Sequence, residues 1–355
     1  MPALKKVTIK DVAREANISV GTVYRAINNT GRIKDETRDR ILEIVERLGY
    51  KANTVARGLA LRKKFNILVI MPCTPEIFWD EVRIGTKMAA EELLEFGVKI
   101  IEFIHNDSIS KNASINDIIA NNDIDAIAMS IVNFNDSDLV LSYAEKNVIP
   151  IAIFDEDTIN RKRLFYYGPD YYQTGKIAAE LMYKFCNRSG ECCIISSTNF
   201  WSGDTSYKRV QGFLEHVENN YPDFHIVGSY RCTLAESSSV VLKAMKDHPE
   251  AKGFYFDQYR ILLNNYKIFE KTEKDYVVIG HEYEEEYKKA LQEGTITAIL
   301  AQERVCQGYY PVIMLYNYLI TGEKPDRDSY YSNTNIIIGA NADNLQHSKY
   351  GCGYE

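Results

Sequence analysis

The chain has 355 residues, 45% of them hydrophobic and 26% charged, and a formal net charge of −7. These are globular proportions, and the length exceeds one compact core and suits a small domain joined to a larger bilobal one. No apolar run approaches the roughly 20 residues of a membrane span, and the lysines near Met1 have no apolar segment behind them, so neither a membrane partner nor a secretory leader is expected, and the compartment expected is the cytoplasm.

The seven cysteines are scattered, Cys192 and Cys193 are adjacent, and no pair has the two-residue spacing of a zinc or redox site. Reduced, buried thiols are expected, with no metal and no cofactor. The net charge hides an asymmetry. Residues 1–64 carry a surplus of eight positive charges, and the remainder a surplus of fifteen negative ones. A basic head on an acidic body presents one end to phosphate, although a solvated basic face would show the same charge.

In chain order, Thr8, Ile9, Lys10 and Asp11 have the form of a capping box. A first helix runs through Val12–Ala16, with Ile9, Val12, Ala13 and Ala16 at helical spacing. Ser19 is a good cap for a second helix over Val20–Asn28. A turn at Asn29, Thr30 and Gly31 leads to a third helix over Asp35–Leu48, with Ile41, Ile44, Val45 and Leu48 inward and Gly49 as C-cap. Two short helices braced by a third are what a helix-turn-helix requires, because the second must stand proud enough to enter the major groove.

The stretch Val7–Asn53 resembles the DNA-binding head of the lac repressor (LacI) family at Asp11, Val12, Ala13, Ser19, Thr22, Val23, Arg25, Asn28, Thr37, Arg38, Leu48, Gly49, Tyr50 and Asn53. The resemblance implies DNA contacts from Thr8, Ser19, Val20, Gly21, Thr22, Tyr24, Arg25, Asn28 and Asn53. Gly21 offers a base edge no side chain, so reading must lean on Arg25, Thr22 and an apolar contact from Val20 with a thymine methyl. Tyr24 stands where the family usually has Ser, and either reaches DNA or braces the head's own core. Residues 51–64 resemble the family's hinge, with Leu59 at the position of a minor-groove leucine wedge. Gly58 weakens such a helix by about 1 kcal/mol relative to Ala, and Ala52 replaces the family's usual proline. A flexible basic linker is the alternative.

From Phe65, apolar strands alternate with amphipathic helices. Strands are expected at 66–71, 99–105, 126–132, 150–155, 164–168, 192–197, 225–231, 253–256, 276–280, 296–301 and 334–339. Among the helices between them are 80–96, 172–185, 206–219 and 305–321. Apolar strands between helices mean parallel sheets covered on both faces, and eleven strands suit two sheets better than one. Residues 65–345 resemble the family's type 1 periplasmic-binding-protein-like sensor. The fold expected is therefore an all-α helix-turn-helix head (1–50), a hinge (51–64) and an α/β bilobal sensor of two doubly wound parallel-sheet lobes. Lobe one would hold about 65–165 and 302–328, lobe two about 166–300 and 331–341.

In open parallel sheets ligands sit at the carboxyl ends of strands. The resemblance then implies Phe78 and Trp79 as sugar-stacking aromatics (a role in which core packing competes), Asp155 as a hydroxyl-binding carboxylate, Gln302 as a polar contact and Trp201 as a stacking group from the second lobe. Tyr207 falls in the slot read for the family's ligand-binding arginine; Asp257 follows Phe256 where many members have asparagine; and Glu282 stands in Gly280-His281-Glu282 where many have Gly-x-Asp. The implied molecule is a homodimeric regulator that binds palindromic double-stranded operator DNA and a sugar or sugar-like effector. The alternatives are a sugar-binding protein without DNA coupling and, far behind, a carbohydrate-active enzyme using Asp155 and Glu282. No phosphate loop, nucleophile elbow or metal-spaced histidine pair supports an enzyme.

Overall fold

The computed structural model describes residues 7, 9–27, 33–48, 64–105, 115–131, 134–157, 161–198, 205–272 and 274–343. The chain divides into two compact units, Met1–Lys63 and Lys64–Glu355. Among the described residues the first holds the helices α1 (Ile9–Ala16), α2 (Val20–Ile27) and α3 (Asp35–Arg47). Val12, Ala13, Ala16, Val23, Ala26, Ile41 and Ile44 are buried together, with Val45 and Leu48 packed against them. Helical spacing is what gathers these side chains on three inward faces. Arg47 on α3 pairs with Glu15 on α1 at 2.8 Å. The expected capping residue Thr8, the C-cap Gly49 and hinge residues 51–63, Leu59 included, lie outside the described residues.

The second unit contains two six-stranded sheets. In the first, the order is β11-β5-β4-β3-β1-β2, with β1 Phe65–Pro72, β2 Val98–His105, β3 Ala126–Met129, β4 Ile151–Phe154, β5 Phe165–Gly168 and β11 Ser329–Tyr331. In the second it is β12-β10-β9-β8-β6-β7, with β6 Gly190–Ser197, β7 Phe224–Cys232, β8 Gly253–Phe256, β9 Val277–His281, β10 Ala298–Gln302 and β12 Thr334–Ile337. Ile67 through Met71 on β1 are almost fully buried, as a strand covered on both faces must be.

Two expectations need correction. β11 was not anticipated; only three residues long, it shows no apolar run, and it joins the first sheet beside β5. β5 itself belongs to that first sheet, so the first crossing between lobes follows Gly168 instead of falling near residue 165. One pair also departs from the parallel rule: β12 runs antiparallel to β10. β11 ends at the carboxyl edge of sheet one, and the chain passes directly to sheet two, entering it from the carboxyl edge.

Helices α4 (Glu76–Leu93), α5 (Ile115–Asn121), α6 (Phe134–Asn147) and α12 (Arg304–Thr321) cover sheet one. Sheet two is covered by α7 (Tyr171–Phe185), α8 (Thr205–Asn220), α9 (Ser237–Asp247), α10 (Tyr259–Glu270) and α11 (Tyr287–Gln292). In each lobe one helix pair crosses with backbones in contact. A Cβ placed on Gly85 of α4 would sit 1.9 Å from the Val305 carbonyl oxygen, and one on Gly308 of α12 would sit 1.8 Å from that of Val82. The second lobe repeats the device: a Cβ on Gly175 of α7 would sit 2.0 Å from the Arg209 carbonyl oxygen, and one on Gly212 of α8 2.0 Å from that of Tyr172. Any side chain there would force the helices apart. Gly308→Ala is therefore expected to destabilise the second unit by about 1–3 kcal/mol or more, the usual range for overpacking, measured by urea denaturation. A change within a few tenths would disprove the close crossing.

Candidate functional site

Two surfaces carry the residues singled out above. On α2, Ser19 Oγ accepts a hydrogen bond from the Thr22 amide at 3.1 Å, so the cap starts the helix where expected. Val20, Gly21 and Arg25 are exposed while Val23 and Ala26 turn inward. The Arg25 guanidinium lies along the helix, donating to the Gly21 carbonyl at 3.2 Å and to Thr22 Oγ1 at 3.4 Å. A base or phosphate could replace either of these weak exposed bonds. Asn28 and Asn53 lie outside the described residues, and so does the question of where the Tyr24 side chain points.

The second surface is the seam between the two sheets, where their carboxyl ends meet. Asp155 ends β4 with a φ of 63°. Its Oδ1 accepts from the Tyr171 hydroxyl at 2.7 Å, and Tyr171 is the first residue of α7 in the other lobe. Burial, with Glu282 nearby, pushes the Asp155 carboxyl up to about 6, against the hydrogen bond from Tyr171 and the charges of Arg209 and Arg304. The Tyr166 hydroxyl donates to the Asp155 carbonyl at 2.6 Å.

Glu282 follows β9, again with a positive φ of 62°, and ties the lobes together. Its Oε1 accepts from Arg209 at 2.8 Å and from Gln302 Nε2 at 2.6 Å, and its Oε2 from Arg304 at 3.4 Å. Arg304 is the first residue of α12, in lobe one. It also donates to Glu284 Oε1 at 3.3 Å and lies over the Phe78 ring at 5.0 Å from its centroid. Gln307 donates to Gln302 Oε1 at 2.6 Å. Asp257, fully buried, lends its main-chain carbonyl to Arg209 at 3.0 Å. Arg209 also lies over the Tyr171 ring, 4.9 Å from its centroid. His281 is buried, hydrogen-bonded through Nε2 to the Tyr255 hydroxyl at 2.7 Å, and held neutral by burial and by Arg209.

Asp155, Asp257, Glu282 and Gln302 are thus brought together as expected neighbours. Tyr207 is not the counterpart of a binding arginine: Arg209, two residues on, is the buried cation of this helix. The positional count missed it by placing the slot too early, although Arg209 opens the very Arg-x-x-Gly-Phe segment that signalled it. Tyr171 and Arg304 were missed too; each lies just past a lobe crossing, a position no local pattern marks. Trp79 is packed among Phe78 and Phe154, its indole N–H taken by the Thr74 carbonyl at 3.1 Å. The helix carrying it begins at Glu76, four residues before the expected start, which turns both rings of Phe78 and Trp79 into the lobe-one core. Trp201 lies outside the described residues. Among the described residues no group of three metal-ligating side chains could hold an ion, and no helix is long and apolar enough to cross a membrane.

A raised carboxyl pKa has a defined sign. Ionising Asp155 is easier in the unfolded chain, so the native state loses stability as pH climbs from the ordinary carboxyl range through about 6. Asp155→Asn removes that penalty and keeps a group that can bond Tyr171. Its melting temperature is expected to exceed that of the wild type at pH 8, with the difference closing below about pH 4. A gain independent of pH would refute this account.

Comparison with known proteins adds three findings. The model of bacterial regulatory proteins of the lacI family matches residues 8–53, and that of the periplasmic binding protein domain matches 67–324, most of the chain. Among curated proteins, catabolite control protein A of Priestia megaterium is 49% identical over 79 residues, 22% of this chain and 24% of that protein. The HTH-type transcriptional regulator pepR1 of Lactobacillus delbrueckii subsp. lactis is 35% identical over 121 residues, 34% of this chain and 35% of that one. The chain thus spans between a quarter and about a third of the length of these relatives. Among solved structures, GanP, a glucose-galactose binding protein from Geobacillus stearothermophilus, superposes with a TM-score of 0.65 at 22% identity over 78% of this chain and 98% of its own. AraP, an arabinose binding protein from the same organism, gives 0.66 at 20% over 79% and 99%. At such identities the likeness shows the fold. The chain belongs to the periplasmic binding protein domain family and carries at its start the DNA-binding domain of the bacterial regulatory proteins of the lacI family.

Proposed function

We propose that the protein is a homodimeric transcriptional regulator that reads a palindromic operator with its head and a sugar or sugar-like effector with its two lobes, in the cytoplasm. The observation that carries this reading is one chain holding both an exposed α2 face and a seam bridged by Asp155–Tyr171 and Glu282–Arg304. Bonds that cross between lobes respond to anything inserted between them, which is what a sensor needs. A ligand moves the DNA equilibrium only by its differential affinity for two lobe arrangements, so a tenfold response needs about 1.4 kcal/mol. One α2 reads one half-site, and two copies match a two-fold operator. The named relatives, a catabolite control protein and an HTH-type regulator, favour the same assignment. The role proposed is binding: Asp155 and Glu282 hold hydrogen bonds that bridge the lobes and can be exchanged for ligand groups.

Two expected outcomes test this. Arg25→Ala should weaken operator binding by about 1–3 kcal/mol with little change on random DNA, as for a base contact; equal losses on both in gel-shift assays would make Arg25 a phosphate contact. Effector titrated with and without saturating operator should show two different affinities, because coupling between sites is reciprocal. Identical affinities would mean that cleft and head are independent, and the regulator reading would fall.

A further inference from the structure

The seam holds more acid than its cations neutralise. The carboxyl groups of Asp155, Glu282 and Glu284 gather around two guanidinium groups, Arg209 and Arg304, and a fourth, Glu81, lies 3.9 Å from Arg304. His281 adds no charge, because burial beside Arg209 keeps it neutral. Glu282 and Glu284 face the arginines directly, whereas the Asp155 carboxylate meets a neutral donor, the Tyr171 hydroxyl. A buried carboxylate lacking a paired cation is costly unless a positive charge arrives with the ligand.

Polar atoms at the same place point to a ligand independently of charge. Gln307 is fully buried and connected to the cluster through Gln302, yet its Oε1 has no hydrogen-bond partner among the described residues. Arg209 Nε, a donor, is in the same condition. So is Ser130 Oγ, just past the carboxyl end of β3. Buried groups of both kinds are normally satisfied. One acceptor, one donor and one hydroxyl are together met by ligand hydroxyls, which give and take hydrogen bonds alike.

Resting on the sugar-sensor reading above, we infer that the effector is a hydroxylated ring bearing a protonated amine, an amino sugar, whose ammonium group pairs with Asp155. A sugar acid or sugar phosphate would add negative charge to a seam already in excess. A neutral sugar would satisfy Gln307 and Arg209 but leave the Asp155 carboxylate bonded to neutral donors, with Arg209 and Arg304 acting on it only through space. Among the described residues, the groups facing Asp155 (Tyr166 on β5, Tyr171 on α7, Arg209 on α8, Glu282 after β9, Arg304 on α12) include no ammonium donor.

The test is calorimetric titration of the full chain at pH 7.5 with matched hexosamine, N-acetylhexosamine, hexose and hexuronic acid in the gluco, galacto and manno configurations. At least one hexosamine is expected to bind tenfold or more tighter than its N-acetyl, neutral and acidic counterparts. Asp155→Asn, with folding checked by its melting curve, should shrink that preference to a few-fold. A neutral or N-acetylated sugar binding as tightly as the amine, or a hexuronic acid binding best, overturns the amine and leaves the sugar sensor standing. An undiminished preference in Asp155→Asn overturns the pairing with Asp155. Silence from the whole panel overturns both readings.

Discussion

Helix crossings at backbone contact govern both lobes. Gly85 and Gly308 let α4 and α12 touch, and Gly175 and Gly212 do the same for α7 and α8. Residues three or four apart share a helix face, and the charged seam stands one turn before these glycines. Tyr171 precedes Gly175 by four positions, Arg209 precedes Gly212 by three, Arg304 precedes Gly308 by four, and Glu81 precedes Gly85 by four. The crossing that removes every side chain from one turn thereby sets the depth and rotation of the functional side chain on the next. Thr86, fully buried, seals the first crossing between the Val82 and Gly308 carbonyls at 3.4 Å each.

The seam is a balance of desolvation against pairing. Burying Arg209, Arg304, Glu282 and Glu284 is tolerable only because they bond one another and nearby carbonyls. Removing one partner leaves a buried charge behind, at a penalty of several kcal/mol. Because Arg304 and Tyr171 each begin a helix in the lobe opposite their partners, separation of the lobes breaks both contacts together.

The head is built on another scale. Among the described residues its core is seven buried side chains on three helices, a small core of the kind that supplies only a few kcal/mol. In exchange, α2 leaves Val20, Gly21 and Arg25 exposed. Its positive surplus and the body's negative one keep nucleic acid at one end of the chain. In such a layout long-range attraction would bring a basic head to DNA, leaving short contacts to select the site.

Much of this was legible without coordinates. Periodicity alone placed the three head helices and eleven of the twelve strands, since a period of 3.6 or a continuous apolar run is a local property. Asp155, Asp257, Glu282 and Gln302 were legible too, because each ends or follows a strand and strand ends converge in this architecture. What resisted was everything decided by packing across the lobes. Phe78 and Trp79 read as stacking aromatics until the helix start at Glu76 turned them into the core. Arg209 gave way to Tyr207 by a two-residue slip in position, an error that only its bonds to Asp257 and Glu282 expose. Tyr171 and Arg304 carry no sequence signal, for they matter only because the chain crosses between sheets just before each. The sequence by itself determined the elements, the two kinds of unit and the polarity of the charge, all of them encoded within short windows. The tertiary structure decided which lobe each strand joined and which charges share a seam, because those depend on contacts between separate elements, 16 positions apart for Asp155 and Tyr171 and 73 for Arg209 and Glu282.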